Sequence, residues 1–329
     1  STDFLVRTGE SREELGQWLR NRAVPWQRRR RLIQVVTDTF PCGGWLHKIG
    51  RRATAECELC RRSKENSEGG AQGVVPTESI GHIQSAGCAG QSEAVTAAHN
   101  KCIRDLMGDI QVHRKKKSNL TFLTMEEEHT ISTLWEQDGC SEICSKEELW
   151  QAAKSDEMQI QLRGGDDVSG AAEQQYEERF WRRRLDGIAL DSVGKKCYLI
   201  EFKRTRDRRH SYEERAMKVA RQQYKSLLSG LQAVGQQKGW KVEQLVFVGG
   251  TCGSVNVETF NQNLKLLEVP EGKWSRLRQR MARRLLEEQD KVLRAYFAQK
   301  YDKTPTCVDG GGDAAGPKGL AHLSRDVYA

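Results

Sequence analysis

Residues 185–203 read LDGIALDSVGKKCYLIEFK, and the reading of this stretch decides the fold. Two apolar segments, 185–190 and 196–203, flank a turn-forming cluster at Asp191–Gly194, so the stretch predicts a β-hairpin. Side chains alternate along a strand, which puts Glu201 and Lys203 on one face and Ile200 and Phe202 on the other. A carboxylate and an ammonium on one face of an otherwise apolar strand are costly in a pure core, and something must compensate. Asp186 lies fifteen positions before Glu201, at the start of the first strand, where the hairpin can bring it alongside. Two converging carboxylates make an oxygen-rich site for Mg²⁺ or Mn²⁺, and Lys203 beside them can orient or deprotonate a water or stabilise developing negative charge. This is the inventory for hydrolysing a phosphodiester. Taken alone, the same pattern also describes a surface hairpin with a cross-strand salt bridge.

Outward from the hairpin, the second half alternates between elements. A helix over about 172–181 precedes it, a helix over 212–234 follows it, and EQLVFVG (243–249) reads as another strand. A last amphipathic helix, capped by Ser275 after Pro270, sets Leu277, Met281, Leu285, Val292 and Tyr296 on one stripe. The first half reads as helix over 10–37, interrupted near Pro25, and again over 92–106, followed by an exposed basic run at 113–117. Ser145 and Glu148 make a capping box at the start of another helix. Residues 164–170 form a Gly/Asp linker or insertion loop, and the Gly-rich tail after 304 is expected to be disordered. The expected class is α/β (α+β): a mixed central sheet flanked by helices, preceded by a small, mostly helical metal-binding domain. The segments are a basic helical region (1–52), a metal knuckle with its following helix (53–110), a linker (111–144), the sheet domain (145–260), a C-terminal helix (261–303) and the tail (304–329). The domain boundary falls between 110 and 145.

Charge is unevenly placed. The 329-residue chain carries a net +8, with 37% hydrophobic and 30% charged residues. Residues 20–62 hold eleven Lys and Arg against Asp38, Glu56 and Glu58, which is the whole formal excess. A localised excess of this kind suits a polyanion, because neutralised phosphates release counterions. The bland alternative is a solvated helix face. Arg28, Arg29, Arg30 and Arg31 are the first candidates for nucleic-acid contact, and Arg183, Arg184 and Arg204 bracket the carboxylates. No run of about 18 apolar residues occurs, which argues against a membrane partner. The start of the chain lacks the pattern of a secretory signal, and the ten cysteines are unevenly spaced, so a reducing intracellular compartment is expected.

Cys57, Cys60, His82 and Cys88 form C-x2-C-x21-H-x5-C. Both halves have spacings that let neighbouring ligands reach one tetrahedral ion, and thiolate with imidazole suits Zn²⁺. Four ligands leave no open position for a water, so the site is structural rather than catalytic. Two unrelated Cys pairs are the competing reading. His99 is a second-choice ligand, while Cys140 and Cys144 have no visible partner pair.

The order of parts adds a resemblance. An Arg-rich segment ending TDTFPCGGWLHKIG (37–50), then CELC (57–60), ESIGHIQSAGC (78–88), AAHNKCIRDL (97–106), RRLDGIAL (183–190) and YLIEFKRT (198–205) resembles the C-terminal region of non-LTR retrotransposon reverse transcriptase proteins. It covers roughly residues 15–110 and 175–255. In that family a zinc knuckle precedes a restriction-like endonuclease of the PD-(D/E)xK type, which nicks target DNA so that the exposed 3′ hydroxyl primes reverse transcription. The resemblance implies a restriction-endonuclease-like core, a DNA target with element RNA as a further partner, a nuclear location, and Asp186, Glu201 and Lys203 as the catalytic set. It adds Glu178, with Glu177 and Glu173 as alternatives, from the upstream helix, and Tyr224 with Gln223 from the helix after the lysine. Leu185 stands where the family has proline, and no paired-aspartate polymerase motif occurs. A non-catalytic nucleic-acid-binding remnant and a host DNA-repair nuclease with the same core are the alternative functions.

Overall fold

Strand β3 (Lys196–Thr205) lies at the centre of a four-stranded sheet with β1 (Thr121–Thr124), β2 (Gly187–Asp191) and β4 (Lys241–Gly250). The computed structural model describes residues 16, 20, 24–36, 39–66, 74–85, 87–124, 130–137, 140–162, 170–206 and 211–301. Loop residues 164–169, the tail after 304 and most of the helix expected before Pro25 lie outside them. Among the described residues the chain is mixed α/β, with helices on both sides of this sheet. It divides into two compact units: the described residues up to Cys102 with Thr251–Gly253 and those from Ala282 onward, and Ile103–Gly250 with Ser254–Met281. The division therefore falls after Cys102, ahead of the expected window of 110–145.

The sheet order is β1-β2-β3-β4, antiparallel for the first two pairings and parallel for the last. The hairpin register pairs Asp191 with Lys196 and Gly187 with Ile200. One step further along that register, Asp186 stands across from Glu201, on the same face. That face carries Cys197 and Leu199 into a core with Leu149, Trp150 and Ala153 of α7 (Lys146–Leu162) and Tyr224, Leu227 and Leu231 around α10 (Lys225–Gln237). Farther along it, Val246 and Val248 pack under α9 (Tyr212–Gln223) through Tyr212, Ala216 and Ala220. The opposite face packs on α5 (Ser92–His113), where a Cβ at Gly187 would stand 3.2 Å from Met107 Cε. On that side Phe247 also meets Phe260 of α11 (Val257–Leu266), ring centroids 5.1 Å apart. The sheet unit is completed by α8 (Gly170–Trp181), which leads into the hairpin.

Two expectations are corrected here. Residues 111–144 are not simply a linker: they supply β1 and α6 (Ile131–Gln137), with Ile131, Leu134, Trp135, Cys140, Ile143 and Cys144 buried in the core. A four-residue strand and a seven-residue helix are too short to show a period among polar neighbours. The helix expected over 212–234 is two helices, broken at Tyr224. There the break lets the Tyr224 hydroxyl donate to the Arg184 carbonyl.

The other unit contains α1 (Trp26–Val36), α2 (Gly43–Lys48), α3 (Glu58–Glu65), α4 (Ile80–Ile83), the first half of α5 and the later part of α12 (Trp274–Tyr301). Its core joins Val35, Phe40, Ile80 and Ile83 to Leu293, Tyr296 and Phe297, with Phe40 and Phe297 rings 5.4 Å apart. All five residues of the stripe expected on the last helix are buried.

Candidate functional site

At the end of the hairpin, Asp186 accepts a hydrogen bond from the Phe202 backbone N–H at 2.6 Å. Glu201 is almost fully buried, and its Oε1 lies 2.5 Å from Lys203 Nζ. Lys203 also donates to Gln223 Oε1 at 2.7 Å, and the Gln223 amide donates to the Tyr224 hydroxyl at 3.0 Å. Burial, followed by the negative charges of Glu201 and Asp186, pushes the Tyr224 phenol well above its ordinary value. Tyr224 therefore stays a neutral donor beside both carboxylates. The structure thus brings together Asp186, Glu201, Lys203, Gln223 and Tyr224. Two carboxylates and a half-buried lysine thus share one end of this sheet face.

Other expected residues lie elsewhere. Glu178 is exposed, pairs with Arg182 at 3.5 Å, and lines an open cleft of about 620 Å³ with Glu177, Trp181 and Lys146. Neither Asp186 nor Glu201 lines that cleft. Glu173 lies 3.9 Å from Lys154, a residue of α7. Arg183 does not face solvent phosphates: its guanidinium lies 2.5 Å from buried Glu157 and donates to Ser226 Oγ at 3.0 Å, while Ser226 donates to Glu157. Arg184 is exposed and accepts from Tyr224 through its carbonyl. Arg204 alternates to the face opposite Lys203. The network that holds the approach to Asp186, Glu157–Arg183–Ser226, escaped the sequence reading. Its signal was present, since Leu149, Ala153 and Glu157 share an i, i+4 stripe and a carboxylate on an apolar stripe needs a buried partner.

Three of the four arginines in the run before the cysteines have partners close by. Arg31 is buried, and Arg28 and Arg31 reach the buried Asp290 at 3.1 and 2.9 Å. Arg29 stacks over Trp26 at 5.7 Å, and Arg30 is exposed. Arg52 pairs with buried Glu78, and Arg61 and Arg62 with Glu58. Asp290 and Glu78 lie outside the 20–62 window, so a charge count along the chain could not see this neutralisation.

Cys57, Cys60, His82 and Cys88 do converge, with all four ligand atoms within 4.8 Å of one another. Local structure explains why. Hydrogen bonds from Cys57 N to Pro76 O and from Glu78 N to Ala55 O close a bridge between the two halves of the motif. Cys57 then occupies the N-cap of α3 with Cys60 in its first turn. Ser79 caps α4 by accepting from His82 N, which aims the histidine. The Cys57 and Cys88 sulfurs are 3.8 Å apart, and Cys60 Sγ is 3.2 Å from His82 Nε2. Four ligands at about 2.3 Å from one tetrahedral ion have their sulfurs ~3.8 Å apart, whereas a disulfide requires about 2.05 Å. The group can hold a metal ion, and its donor set fits. Close thiols cannot all ionise by themselves. The Cys88 hydrogen bond pulls the Cys57 thiol well below its ordinary value, and Cys88 is pushed up by the same contact and by burial. A divalent cation removes that penalty by accepting every thiolate.

His99 is not in this group, and buried Cys140 and Cys144 belong to the core of the sheet unit. Burial pushes the Cys144 thiol up to about 11. Behind the ligands, the Tyr296 hydroxyl lies 3.5 Å from Cys57 Sγ. Glu78 accepts from the Gly43 N–H at 2.8 Å and pairs with Lys300 at 2.6 Å. Burial would raise the Glu78 carboxyl, but Lys300, Arg52 and Gly43 N–H outweigh it and hold it below the ordinary carboxylate value. A depressed carboxyl contributes stability above its unfolded pKa, which is lost as pH falls through the folded one. Thermal melts should therefore lose stability on acidification below about pH 4.5. Glu78→Gln should flatten that acid limb while lowering stability at neutral pH; an unchanged limb would contradict the assignment.

No protein-family model, no curated protein and no solved structure matches this chain. Among the described residues, no helix is long and apolar enough to cross a membrane.

Proposed function

We propose that this chain is a Mg²⁺-dependent DNA endonuclease of the PD-(D/E)xK type, with a three-cysteine, one-histidine group that binds Zn²⁺ and stabilises its unit. The observation that carries the reading is the gathering of Asp186, Glu201, Lys203 and Tyr224 at one end of one sheet face. The element order supports it as well: an antiparallel hairpin bearing the carboxylates, then helices, then a parallel strand. Together with the resemblance of the cysteine and hairpin segments, this favours the restriction-like endonuclease of a non-LTR retrotransposon protein, acting in the nucleus to nick DNA for target-primed reverse transcription.

Asp186 and Glu201 would hold the magnesium, which supplies charge neutralisation at the phosphate. The rest of the chemistry falls to the chain. Lys203, steadied by Gln223, orients the attacking water and stabilises the negative charge that develops on the phosphate oxygens. Tyr224 pins the Arg184 carbonyl, and the Phe202 N–H fixes the Asp186 carboxylate, so both ends of the loop entering β2 are held. The buried Glu157–Arg183–Ser226 network anchors the residues just before it. Leu185, buried where the family has proline, is restrained by these flanking bonds rather than by a ring. The test is nicking of supercoiled plasmid by the purified chain in Mg²⁺ and in EDTA. Relaxed circles in Mg²⁺ alone support the reading, and intact plasmid with every divalent metal tried would leave a nucleic-acid-binding remnant.

A further inference from the structure

We infer that the sheet unit grips nucleic acid through a basic surface built from two segments about 160 residues apart in sequence, Lys115–Lys117 and Lys273–Arg276. Two contacts bring the segments together. Arg280 of α12 pairs with Asp109 of α5 at 2.8 Å, and the Lys115 N–H donates to the Glu268 carbonyl at 3.2 Å. From Asp109 to Lys115 and from Arg280 back to Lys273 the chain travels similar lengths, about 10 Å at 1.5 Å per helical residue. The end of α5 and the start of α12 therefore lie side by side, and their cations share one surface.

The side chains of Lys115, Lys116, Lys117, Lys273 and Arg276 are exposed. The contrast with the arginine run is the deciding point. Arg28, Arg31 and Arg52 are spent on the buried acids Asp290 and Glu78, whereas these five cations face water with Glu271 as the exposed acid among them. Among the described residues none of these five has an ion pair, and exposed cations on adjoining helix ends are what phosphate contacts require. A lipid surface is disfavoured, because Leu277 and Met281 on this part of α12 are buried, which leaves it no continuous apolar stripe facing water. The surface lies toward the Leu190 end of β2, since β1 follows Lys117 and pairs Thr121 with Leu190. Asp186 lies beyond the Gly187 end, so a duplex meeting both would run along the strands. The choice of nucleic acid over another polyanion rests on the nuclease reading; the surface itself does not.

The experiment is binding of the full chain to a labelled DNA duplex in EDTA over a range of KCl concentrations. Lys115→Gln, Lys116→Gln and Lys117→Gln together should weaken binding at least about tenfold near 0.15 M salt and flatten the salt dependence by roughly 0.9 per lost phosphate contact. Lys273→Gln with Arg276→Gln should act in the same direction. Removing the ion-paired cations Lys146, Lys154 and Lys225 changes net charge equally and should change affinity less than about twofold. Equal losses in the control, or no loss from either segment, would overturn the surface. Preferential loss of binding to anionic phospholipid vesicles, with duplex binding unchanged, would overturn the nucleic-acid assignment. Because EDTA prevents cleavage, a chain that fails to nick plasmid can still pass this test, and a chain that nicks can still fail it.

Discussion

Asp186→Asn should lower the rate of Mg²⁺-dependent nicking by about 10³-fold while leaving the fold intact. The substitution is close to isosteric, and an amide oxygen can still accept the Phe202 N–H that Asp186 now holds at 2.6 Å. What it removes is one of the two negative charges that would hold the proposed magnesium. Loss of metal-centred charge stabilisation is worth several kcal/mol, and each ~1.4 kcal/mol is a factor of ten in rate. The measurement is single-turnover nicking beside a thermal melt. A melt within a few degrees of the parent, with the rate collapsed, assigns the loss to chemistry. Wild-type rates in Asp186→Asn would remove this carboxylate from the mechanism.

The second large effect concerns the cysteine and histidine group. Cys60→Ala should abolish stoichiometric zinc and destabilise the unit that holds α1 to α4, because structural zinc sites supply folding free energy on the order of 10–16 kcal/mol in small domains. The cost here should be smaller in a unit with its own apolar core, about 3–5 kcal/mol, the range for losing a buried stabilising network. His82→Cys offers a control that keeps four ligands, since sites made of four cysteines also bind zinc. Metal analysis and denaturant melts should find zinc and stability lost in Cys60→Ala and largely retained in His82→Cys. Equal stability of Cys60→Ala and wild type, with or without a chelator, would show that the four side chains meet without a metal role.

Much of this was legible in the chain, and the gaps have physical causes. Period-two alternation in LDGIAL and KCYLIEFK placed the hairpin and the shared face of Glu201 and Lys203, because strand geometry leaves little freedom in where side chains point. The cysteine spacings placed the ligand group for a similar reason, each half being a local turn. The direction of Glu178 was not legible because the rotation of α8 depends on what it packs against: Tyr176 and Phe180 turn inward while Glu178 turns out. Arginine pairing was invisible for a deeper reason. Asp290 lies 259 residues from Arg31, and only the folded chain brings a buried acid to a run that reads as free charge. The same blindness hid Glu78, whose partners come from Arg52 and Lys300. Tyr296 was read as one more apolar position on a stripe, and the structure adds its hydroxyl to the surroundings of Cys57.

One measurement tests the central claim most directly. A labelled duplex saturated with either wild type or Glu201→Gln would be assayed for bound and nicked DNA in the same Mg²⁺ titration. The prediction is equal binding, nicking by wild type that rises with Mg²⁺, and nicking by Glu201→Gln lower by about 10²-fold or more. Equal nicking by both proteins, or fully bound and uncut DNA with wild type across the whole titration, would contradict it.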